Sequence, residues 1–337
     1  MLENRGWTLA RRPIGEPSVE DFSLRAVPLN PQMMEGQVLV RNRLLSLDPY
    51  MRWRMNDVKS YARPVEIGQV MVGVTVGEVL VSKHTSFKPG EAVLGGGGWQ
   101  EYAVLPGEHL QKLAGNVPPS TALGVLGSPG FTAYAGLMKI GMPKPGETVV
   151  VGTATGPVGS MVGQLAKLAG CRTVAIAGGQ VKCELAKTKF GFDAAIDHRK
   201  PHLHELLAEA CPKGIDIYFE NIGGRVWDAV LPLLNDFARV PVCGLVSQYN
   251  EDASYEGETR LALLMRDILV KRLTLRGFIV TDFAQYRDEF LEMAAPLVAS
   301  GEIAHLEDIV DGLEAAPDAF IGLLQGKNKG KLIIRIA

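Results

Sequence analysis

The sequence predicts an α/β protein in which a doubly wound parallel sheet is joined to a second, β-rich domain. From about Thr148 onward, short apolar runs alternate with amphipathic segments of helix length, which is the pattern of βαβ units in a parallel sheet. Between Gln37 and about Lys112 the chain is instead rich in β-branched residues separated by glycines. The length of 337 residues exceeds the size at which one hydrophobic core usually stops growing, so we expect two domains.

Composition and charge narrow the class of protein. Hydrophobic residues make up 47% of the chain and charged residues 21%, as in an ordinary globular protein. Lysine and arginine total 35 against 37 for aspartate and glutamate, so there is no basic excess to bind nucleic acid or an anionic membrane. The sequence shows no signal-peptide core, and its four widely spaced cysteines suit a reducing compartment. We therefore expect a cytoplasmic protein.

The predicted strands follow the same division. In the first domain they cover 38–41, 70–81 and 101–104; in the second they cover 148–151, 173–177, 194–196, 215–219, 239–243 and 274–280. Six strands match a complete dinucleotide-binding sheet. Pro241 has no N–H group, so we expect a bulge or an unpaired face there. The apolar run 331–336 predicts a terminal strand that returns to the first domain. The expected bounds are 123–298 for the second domain, and 1–122 with 299–337 for the first.

A glycine turn follows the first strand of the second domain. The chain there reads Gly152-Thr153-Ala154-Thr155-Gly156-Pro157-Val158-Gly159, and apolar residues then recur at helical spacing. Such a turn lets backbone approach a pyrophosphate, and a helix N-terminus offers N–H groups and a positive dipole end. The AxGxxG spelling is a weak signal by itself, and its position within a βαβ unit strengthens it. We predict a cofactor contact at Thr155 to Gly159; the alternative is a purely structural turn.

The end of the second strand distinguishes the two nicotinamide cofactors. NAD-binding sheets place an acidic residue there, whereas this chain has Gly178-Gly179-Gln180, with Lys182 three residues beyond Gly179. A 2′-phosphate would meet no negative charge and could pair with the lysine, which favours NADPH. Alternatively, Lys182 is a solvated helix lysine.

Seven segments, taken in order along the chain, carry a family resemblance. They are Leu47-Asp48-Pro49-Tyr50-Met51-Arg52, Gly98-Trp99-Gln100-Glu101-Tyr102, Gly130-Phe131-Thr132-Ala133-Tyr134, Ala154 to Gly159, Glu220-Asn221-Ile222-Gly223-Gly224, Cys243 to Asn250, and Gly326-Lys327-Asn328. These segments resemble the prostaglandin/alkenal reductase branch of the medium-chain dehydrogenase/reductase superfamily, and within it the bacterial NADPH-dependent curcumin reductases. The resemblance spans nearly the whole chain. It implies a Rossmann NADPH-binding domain, a split β-rich GroES-like substrate domain and commonly a homodimer.

The same resemblance implies roles for single residues. Asn221 and Asn328 would contact the nicotinamide or diphosphate half of the cofactor, Lys182 its 2′-phosphate, and Cys243 the groove on the adenosine side. His198 stands where many relatives carry a tyrosine beside the cofactor phosphate. Each has an alternative: Asn221 could stabilise a turn, Cys243 could be a small buried hydrophobe, and His198 could be an exposed bystander.

The sequence argues against a catalytic metal. Zinc-dependent members of the superfamily use a thiolate and an imidazole in the first domain, plus a four-cysteine lobe. No cysteine precedes Cys171, and the first-domain histidines, His84 and His109, lie outside a Gly-His-Glu context. We therefore expect a zinc-free enzyme.

Hydride addition to the β-carbon of an enone places negative charge on the carbonyl oxygen, so a hydrogen-bond donor there lowers the barrier. Tyr249 is the leading candidate, because it follows the fifth strand at the edge of the sheet where ligands bind. A tyrosine hydroxyl keeps its proton at neutral pH and can donate directly. Tyr50 and Tyr61 are predicted to stack on a conjugated substrate or to supply a proton. Phe278 is predicted at the nicotinamide edge or a domain interface.

The expected activity is NADPH-dependent reduction of the carbon–carbon double bond of α,β-unsaturated ketones or aldehydes. Quinone reduction and a non-catalytic NADPH-binding protein remain as alternatives. The stretch 251–259 reads EDASYEGET where many relatives have a proline-rich loop, and Ser128 stands where relatives often carry methionine. These departures leave the identity of the substrate open.

Overall fold

The computed structural model describes residues 3–29, 32–113, 115, 117–250 and 261–336. The proline-free stretch 251–259 therefore lies outside the described residues. Contacts divide the chain into two units, Met1–Gly124 with Glu307–Ala337, and Val125–Leu306. Among the helices in the described ranges, none has the length and apolar character that a membrane span requires.

The bounds of the strands and helices are as follows. The strands are β1 Glu3–Leu9, β2 Phe22–Pro28, β3 Gln37–Ser46, β4 Thr75–Ser82, β5 Ala92–Gly95, β6 Tyr102–Pro106, β7 Gln111–Lys112, β8 Thr148–Val151, β9 Arg172–Ala177, β10 Ala194–Asp197, β11 Ile215–Phe219, β12 Leu234–Val242, β13 Thr274–Gly277, β14 Glu307–Asp311 and β15 Lys331–Arg335. The α-helices are α1 Tyr50–Arg54, α2 Ser128–Tyr134, α3 Pro157–Leu168, α4 Gln180–Thr188, α5 Leu203–Ala210, α6 Gly224–Val230, α7 Leu261–Lys271, α8 Arg287–Ser300 and α9 Ala316–Leu324, and α2 continues as a π-helical segment, Ala135–Gly141.

The first unit is built on a sheet of order β14-β15-β3-β4-β5-β7, with β6 paired to the beginning of β3 and β15 to its end. A separate ribbon pairs β1 with β2. Trp99 is fully buried; its ring stacks on Phe22 with centroids 5.5 Å apart and meets Phe320 of α9 edge-on, also at 5.5 Å. The C-terminal segment thus supplies both a strand and core residues to this unit.

The second unit contains a six-stranded sheet of order β10-β9-β8-β11-β12-β13, in which every neighbouring pair is parallel. Renumbered within the unit, this is the 3-2-1-4-5-6 order of a dinucleotide-binding sheet. The strand order reverses between β8 and β11, and ligands of such sheets bind beyond the carboxyl ends of the strands at that point. The predicted fold class is confirmed.

The expectation of a bulge or unpaired face at Pro241 is wrong. Pro241 pairs in register with Arg276 of β13, and its carbonyl oxygen accepts a hydrogen bond of 3.0 Å from the Glu220 N–H. The irregularity lies earlier in β12, between Leu234, which pairs with Ile215, and Arg239, which pairs with Ile217. Phe237, within this stretch, has a φ of 62°. Pro241 has no N–H group to donate, but β12 stays paired there because the Pro241 carbonyl oxygen still accepts a hydrogen bond.

Candidate cofactor and active site

The loop between β8 and α3 has the strand, turn and helix that the sequence predicts. Thr153 adopts a φ of 50°, and the Gly156 N–H donates to the Thr153 carbonyl oxygen at 2.9 Å, which closes a tight turn. Gly156 is the N-cap of α3, and Pro157 occupies its first turn. The N–H groups of an opening helical turn lack acceptors within the helix, so this turn can hold a phosphate.

Close packing surrounds two glycines of this loop. A Cβ on Gly159 would lie 2.5 Å from the Thr153 carbonyl oxygen and 2.9 Å from that of Gly152, so no larger residue fits without moving backbone. A Cβ on Gly152 would lie 2.5 Å from Cδ1 of Ile222. Bare backbone here lets the helix and the neighbouring loop approach the turn, and it leaves the turn open to a pyrophosphate, which fits the predicted cofactor.

Asn221 joins the ends of three neighbouring strands. It is buried, and its side-chain amide donates to the Gly152 carbonyl oxygen beyond β8 at 3.3 Å. Its own carbonyl oxygen accepts from the Val246 N–H, beyond β12, at 3.2 Å. Asn221 follows β11, so it sits at the point where the strand order reverses.

Glu220 is the buried carboxylate beneath this loop. Its Oε1 accepts hydrogen bonds from the Tyr218 hydroxyl at 3.0 Å and from the N–H groups of Ile222 at 2.6 Å and Gly223 at 2.9 Å. Its Oε2 is buried and has no partner among the described residues. Burial raises the pKa of Glu220 even though the accepted hydrogen bonds oppose the rise. The carboxylate therefore fixes the backbone of the loop that carries Asn221.

Tyr249 and Cys243 lie on the loop that follows β12. The Cys243 N–H donates to the Glu220 carbonyl oxygen at 2.9 Å, which holds the beginning of this loop against the loop after β11. The Tyr249 hydroxyl oxygen lies 3.0 Å from the place where a Cβ would stand on Gly244, so the phenol folds back over the start of its own loop. Burial, and then the charge of Glu220, raise the pKa of the Cys243 thiol to about 12, so it stays protonated at neutral pH.

The turns after β9 and β10 form a second part of the site. The Gly179 N–H donates to Oδ1 of Asp197 at 2.8 Å, and α4 begins directly afterwards with Lys182 in its first turn. His198 Nε2 lies 3.1 Å from the position of a Cβ on Gly178. Burial lowers the pKa of His198, and the positive charges of Arg199, Arg225 and Lys182 lower it further, against the effect of Asp197. Three cations therefore act on His198, and one of them, Arg199, also lies beside the two glycines.

Phe278 packs into the core of the second unit. It is buried, and its ring meets Phe219 edge-on at 6.3 Å and Phe283 edge-on at 5.9 Å. A Cβ on Gly136 would lie 2.7 Å from its ring. These contacts account for an aromatic residue at this position, and its predicted role beside the nicotinamide stays a prediction.

The first unit carries the other two predicted tyrosines. Tyr50 opens α1, and burial, followed by the charge of Asp48, raises its pKa above the usual tyrosine value, with Arg54 opposing and Tyr61 adding to the rise. Tyr61 is 59% exposed. Arg52 of the same motif is buried and donates to Oδ1 of Asn56 at 2.6 Å and to the Gly15 carbonyl oxygen at 2.7 Å, so its role is structural.

Asn328 precedes the last strand. Its side-chain amide donates to the Gly330 carbonyl oxygen at 2.8 Å, which stabilises the turn into β15. Directly beyond that turn, the buried Lys331 donates to the Leu47 carbonyl oxygen at 2.8 Å and to Oδ1 of Asp48 at 2.6 Å. These two hydrogen bonds of Lys331 fix the segment that contains Tyr50 to the C-terminal strand, β15.

Neither first-domain histidine is arranged as a metal ligand in the described part of the chain, where no group of three or more candidate ligands gathers. The Nδ1 atom of His84 accepts a hydrogen bond of 3.1 Å from the Ser86 N–H. His109 is exposed and lies 3.9 Å from Glu108.

The structure thus assembles the predicted residues of the second unit into two groups. The first joins the glycine loop to Asn221, Cys243 and Tyr249, and the second joins Gly178, Lys182 and His198. Sequence reasoning assigned no role to Glu220 or Arg199. A charged residue directly after a buried strand was the available signal for Glu220, and Arg199 lies two residues beyond the half-buried strand β10.

A Rossmann sheet, a glycine turn opening a helix and a tyrosine at the carboxyl edge define a nucleotide-dependent oxidoreductase. A family model described as the N-terminal domain of oxidoreductase matches residues 5–113, and one described as zinc-binding dehydrogenase matches residues 157–298. The chain belongs to the medium-chain dehydrogenase/reductase superfamily, in the zinc-independent branch of prostaglandin and alkenal reductases.

Individual relatives cover nearly the whole chain. It is 54% identical over 341 residues to the NADPH-dependent curcumin reductase of Escherichia coli (strain K12), covering 99% of this chain and 97% of that protein. It is 40% identical over 342 residues to the 2-alkenal reductase (NADP(+)-dependent) of Nicotiana tabacum, covering 100% and 98%. The crystal structure of CurA from Vibrio vulnificus in complex with NADPH matches with a TM-score of 0.95 at 52% identity, covering 99% of both chains.

Proposed function

We propose that this protein reduces the carbon–carbon double bond of α,β-unsaturated ketones and aldehydes with NADPH. The observation that carries the proposal is the position of the Tyr249 hydroxyl over Gly244, on the loop that is hydrogen-bonded to the loop of Asn221. A hydroxyl in this position would serve as a hydrogen-bond donor at the edge of the sheet where the nicotinamide end of a dinucleotide binds. The names of the relatives, which include a curcumin reductase and a 2-alkenal reductase, support the same class of substrate.

The chain's own residues bind and orient the cofactor. The opening turn of α3 would hold the pyrophosphate through backbone N–H groups, with Gly156 and Gly159 leaving that backbone bare. Asn221 would present its amide to the nicotinamide or diphosphate half while keeping the glycine loop in place. Asn328 would act from the turn before β15, Cys243 would line the groove as a neutral thiol, and Phe278 would border the nicotinamide.

Tyr249 stabilises the charge that the reaction creates. When bound, NADPH supplies the hydride that the β-carbon accepts, while the electrons of the double bond move onto the carbonyl oxygen. The Tyr249 hydroxyl, together with a cofactor ribose hydroxyl, would donate a hydrogen bond to that oxygen. The α-carbon then takes a proton, which completes the saturated product.

Tyr50 and Tyr61 would differ in their tasks. Because burial raises the pKa of Tyr50, its hydroxyl holds its proton firmly, and its aromatic face is better suited to stacking on a conjugated substrate. Tyr61 is exposed and can exchange protons with water, so it is the better candidate for proton delivery.

We also propose that the protein is a cytoplasmic homodimer. Its four cysteines are free thiols, which suits a reducing compartment. Helix α7 exposes Leu261, Met265, Leu269 and Val270, and an apolar surface of this kind is typical of a subunit contact. Light scattering on the purified protein should give twice the chain mass.

Turnover with a panel of substrates tests the function. The absorbance of the reduced nicotinamide should fall in the presence of enones and enals, and the product should retain its carbonyl group. Turnover of quinones alone would favour the quinone reductase alternative. Tight NADPH binding without turnover of any member of the panel would favour the non-catalytic alternative.

A further inference from the structure

One carboxylate holds the turns after β9 and β10 together. Oδ1 of Asp197 accepts the Gly179 N–H at 2.8 Å and the Arg199 N–H at 3.0 Å. Burial opposes ionisation of Asp197, but these two backbone hydrogen bonds hold its pKa below the usual value. Because β9 and β10 are parallel neighbours, both turns lie at the same edge of the sheet. The backbone of Arg199 is therefore fixed relative to the two glycines.

The guanidinium group of Arg199 lies over the bare backbone of these glycines. A Cβ on Gly178 would lie 3.4 Å from Nε and 3.4 Å from Nη2 of Arg199, and a Cβ on Gly179 would lie 3.4 Å from its Nη1. The Arg199 side chain is exposed, and the described carboxylate whose charge acts on it is that of Asp197. The group thus offers its donors where the second strand of the sheet ends.

The neighbouring charges are also positive. Arg199, Arg225 and Lys182 act on His198, and Arg225 is held close by its hydrogen bond of 2.7 Å to the Lys200 carbonyl oxygen. Among the described residues whose charges act on His198, the acidic one is Asp197, and it is engaged by backbone N–H groups. A planar guanidinium group in such surroundings suits a phosphate monoester, which it can bind through two parallel hydrogen bonds.

We infer that Arg199 is a specificity-determining residue that pairs with the 2′-phosphate of NADPH above Gly178 and Gly179. The inference rests on the cofactor use given under the proposed function. NADH carries only a hydroxyl at that position, so Arg199 contributes to the binding of NADPH and little to that of NADH. Lys182 would act on the same phosphate from the first turn of α4, as a more mobile point charge.

Two measurements on four proteins test this role. The proteins are the wild type, Arg199→Ala, Arg199→Lys and, as a control, Lys189→Ala, which removes an exposed cation at the other end of α4. Calorimetry compares the binding of 2′,5′-ADP and 5′-AMP, which differ in the 2′-phosphate and need no enone. Steady-state kinetics compare kcat/KM for NADPH and NADH. Thermal unfolding checks that each variant is folded.

Arg199→Ala should weaken 2′,5′-ADP binding and lower kcat/KM for NADPH by about 10- to 100-fold, the range for a hydrogen-bonded charge pair. Values for 5′-AMP and NADH should not change. Arg199→Lys should be intermediate, because lysine keeps the charge but not the planar fork. Lys189→Ala should match the wild type.

The possible failures are distinct. If Arg199→Ala keeps the full preference of the wild type for 2′,5′-ADP and NADPH, the inference is overturned. If the wild type itself shows no such preference, the proposed cofactor fails and the inference fails with it. If the preference exists and disappears in Arg199→Ala, while no enone is turned over by any protein, Arg199 keeps its role and the proposed reaction fails.

Discussion

The side-chain amide of Asn221 donates a hydrogen bond of 3.3 Å to the carbonyl oxygen of Gly152. This bond joins the loop after β11 to the glycine loop after β8, which are the two halves of the proposed cofactor cradle. The backbone carbonyl oxygen of Asn221 accepts a hydrogen bond from the Val246 N–H, which lies on the same loop as Tyr249. Asn221 is therefore hydrogen-bonded to that loop as well. Asn221 therefore connects the glycine loop of the proposed cofactor site to the loop that carries the proposed catalytic donor, Tyr249.

Asn221→Ala should weaken NADPH binding by about 10-fold, because a buried carbonyl loses its donor at a cost of about 1 to 3 kcal/mol. Asn221→Asp keeps the shape but replaces the donor with a negative charge beside the diphosphate, so it should bind still more weakly. Fluorescence titration with NADPH measures both. Equal affinities for the two variants would limit Asn221 to a packing role.

Gly159→Ala should cost both stability and cofactor affinity. The added methyl group would lie 2.5 Å from the Thr153 carbonyl oxygen, so the glycine loop must shift and its phosphate-binding N–H groups move with it. We expect a destabilisation on the order of 2 kcal/mol and a clear loss of NADPH binding. Gly277→Ala is the matched control, because a Cβ there meets nothing within 4 Å. Wild-type NADPH affinity in Gly159→Ala would contradict the proposed phosphate site.

Tyr249→Phe should lower kcat for enone reduction by about 10²- to 10³-fold and leave the Kd for NADPH unchanged, because it removes a donor that acts mainly in the transition state. Tyr50→Phe and Tyr61→Phe should have smaller effects on kcat. If Tyr249→Phe turns over like the wild type, the donor is one of these two tyrosines or the ribose.

Glu220 should make stability depend on pH. Its pKa is raised above the ordinary value of 4.5, so the folded protein keeps a proton that the unfolded chain releases. The stability from the protonated acid is therefore complete below about pH 4.5 and is lost as the pH rises through the raised pKa. Glu220→Gln stays neutral, so the difference in Tm between the wild type and this variant should move in favour of the variant as the pH rises.

Glu147→Gln provides a control of opposite sign. Hydrogen bonds from Arg239 lower the pKa of Glu147 in spite of burial, so the wild type should lose stability relative to that variant as the pH falls. A difference in Tm between the wild type and Glu220→Gln that stays constant across pH would contradict the raised pKa of Glu220.

Local sequence signals predicted much of the Rossmann unit. The runs 148–151 and 215–219 form β8 and β11, because short apolar segments bounded by turns are typical of buried parallel strands. The predicted strand 274–280 ends earlier, at Gly277, and the next residue turns into the core as Phe278. The ribbon of β1 and β2 was not predicted, since β2 is mostly exposed and shows no clean alternation. The predicted domain bounds stay a prediction.

Only those parts of the candidate site that consist of consecutive residues could be predicted from the sequence. The glycine loop and the Tyr249 loop are read from consecutive residues. The position of Arg199 over Gly178 depends on the register of β9 against β10, and the role of Glu220 depends on two loops meeting beneath Asn221. Such contacts join residues that are distant in sequence, so a single sequence does not reveal them.

Transfer of deuterium tests the central claim most directly. NADPH labelled with deuterium at the transferring position of the nicotinamide would be incubated with the protein and an enone, and the product analysed by NMR. We predict deuterium on the β-carbon of a saturated ketone, with the α-carbon protonated from solvent. Deuterium on the former carbonyl carbon of an allylic alcohol, or an unlabelled substrate recovered intact, would contradict the account.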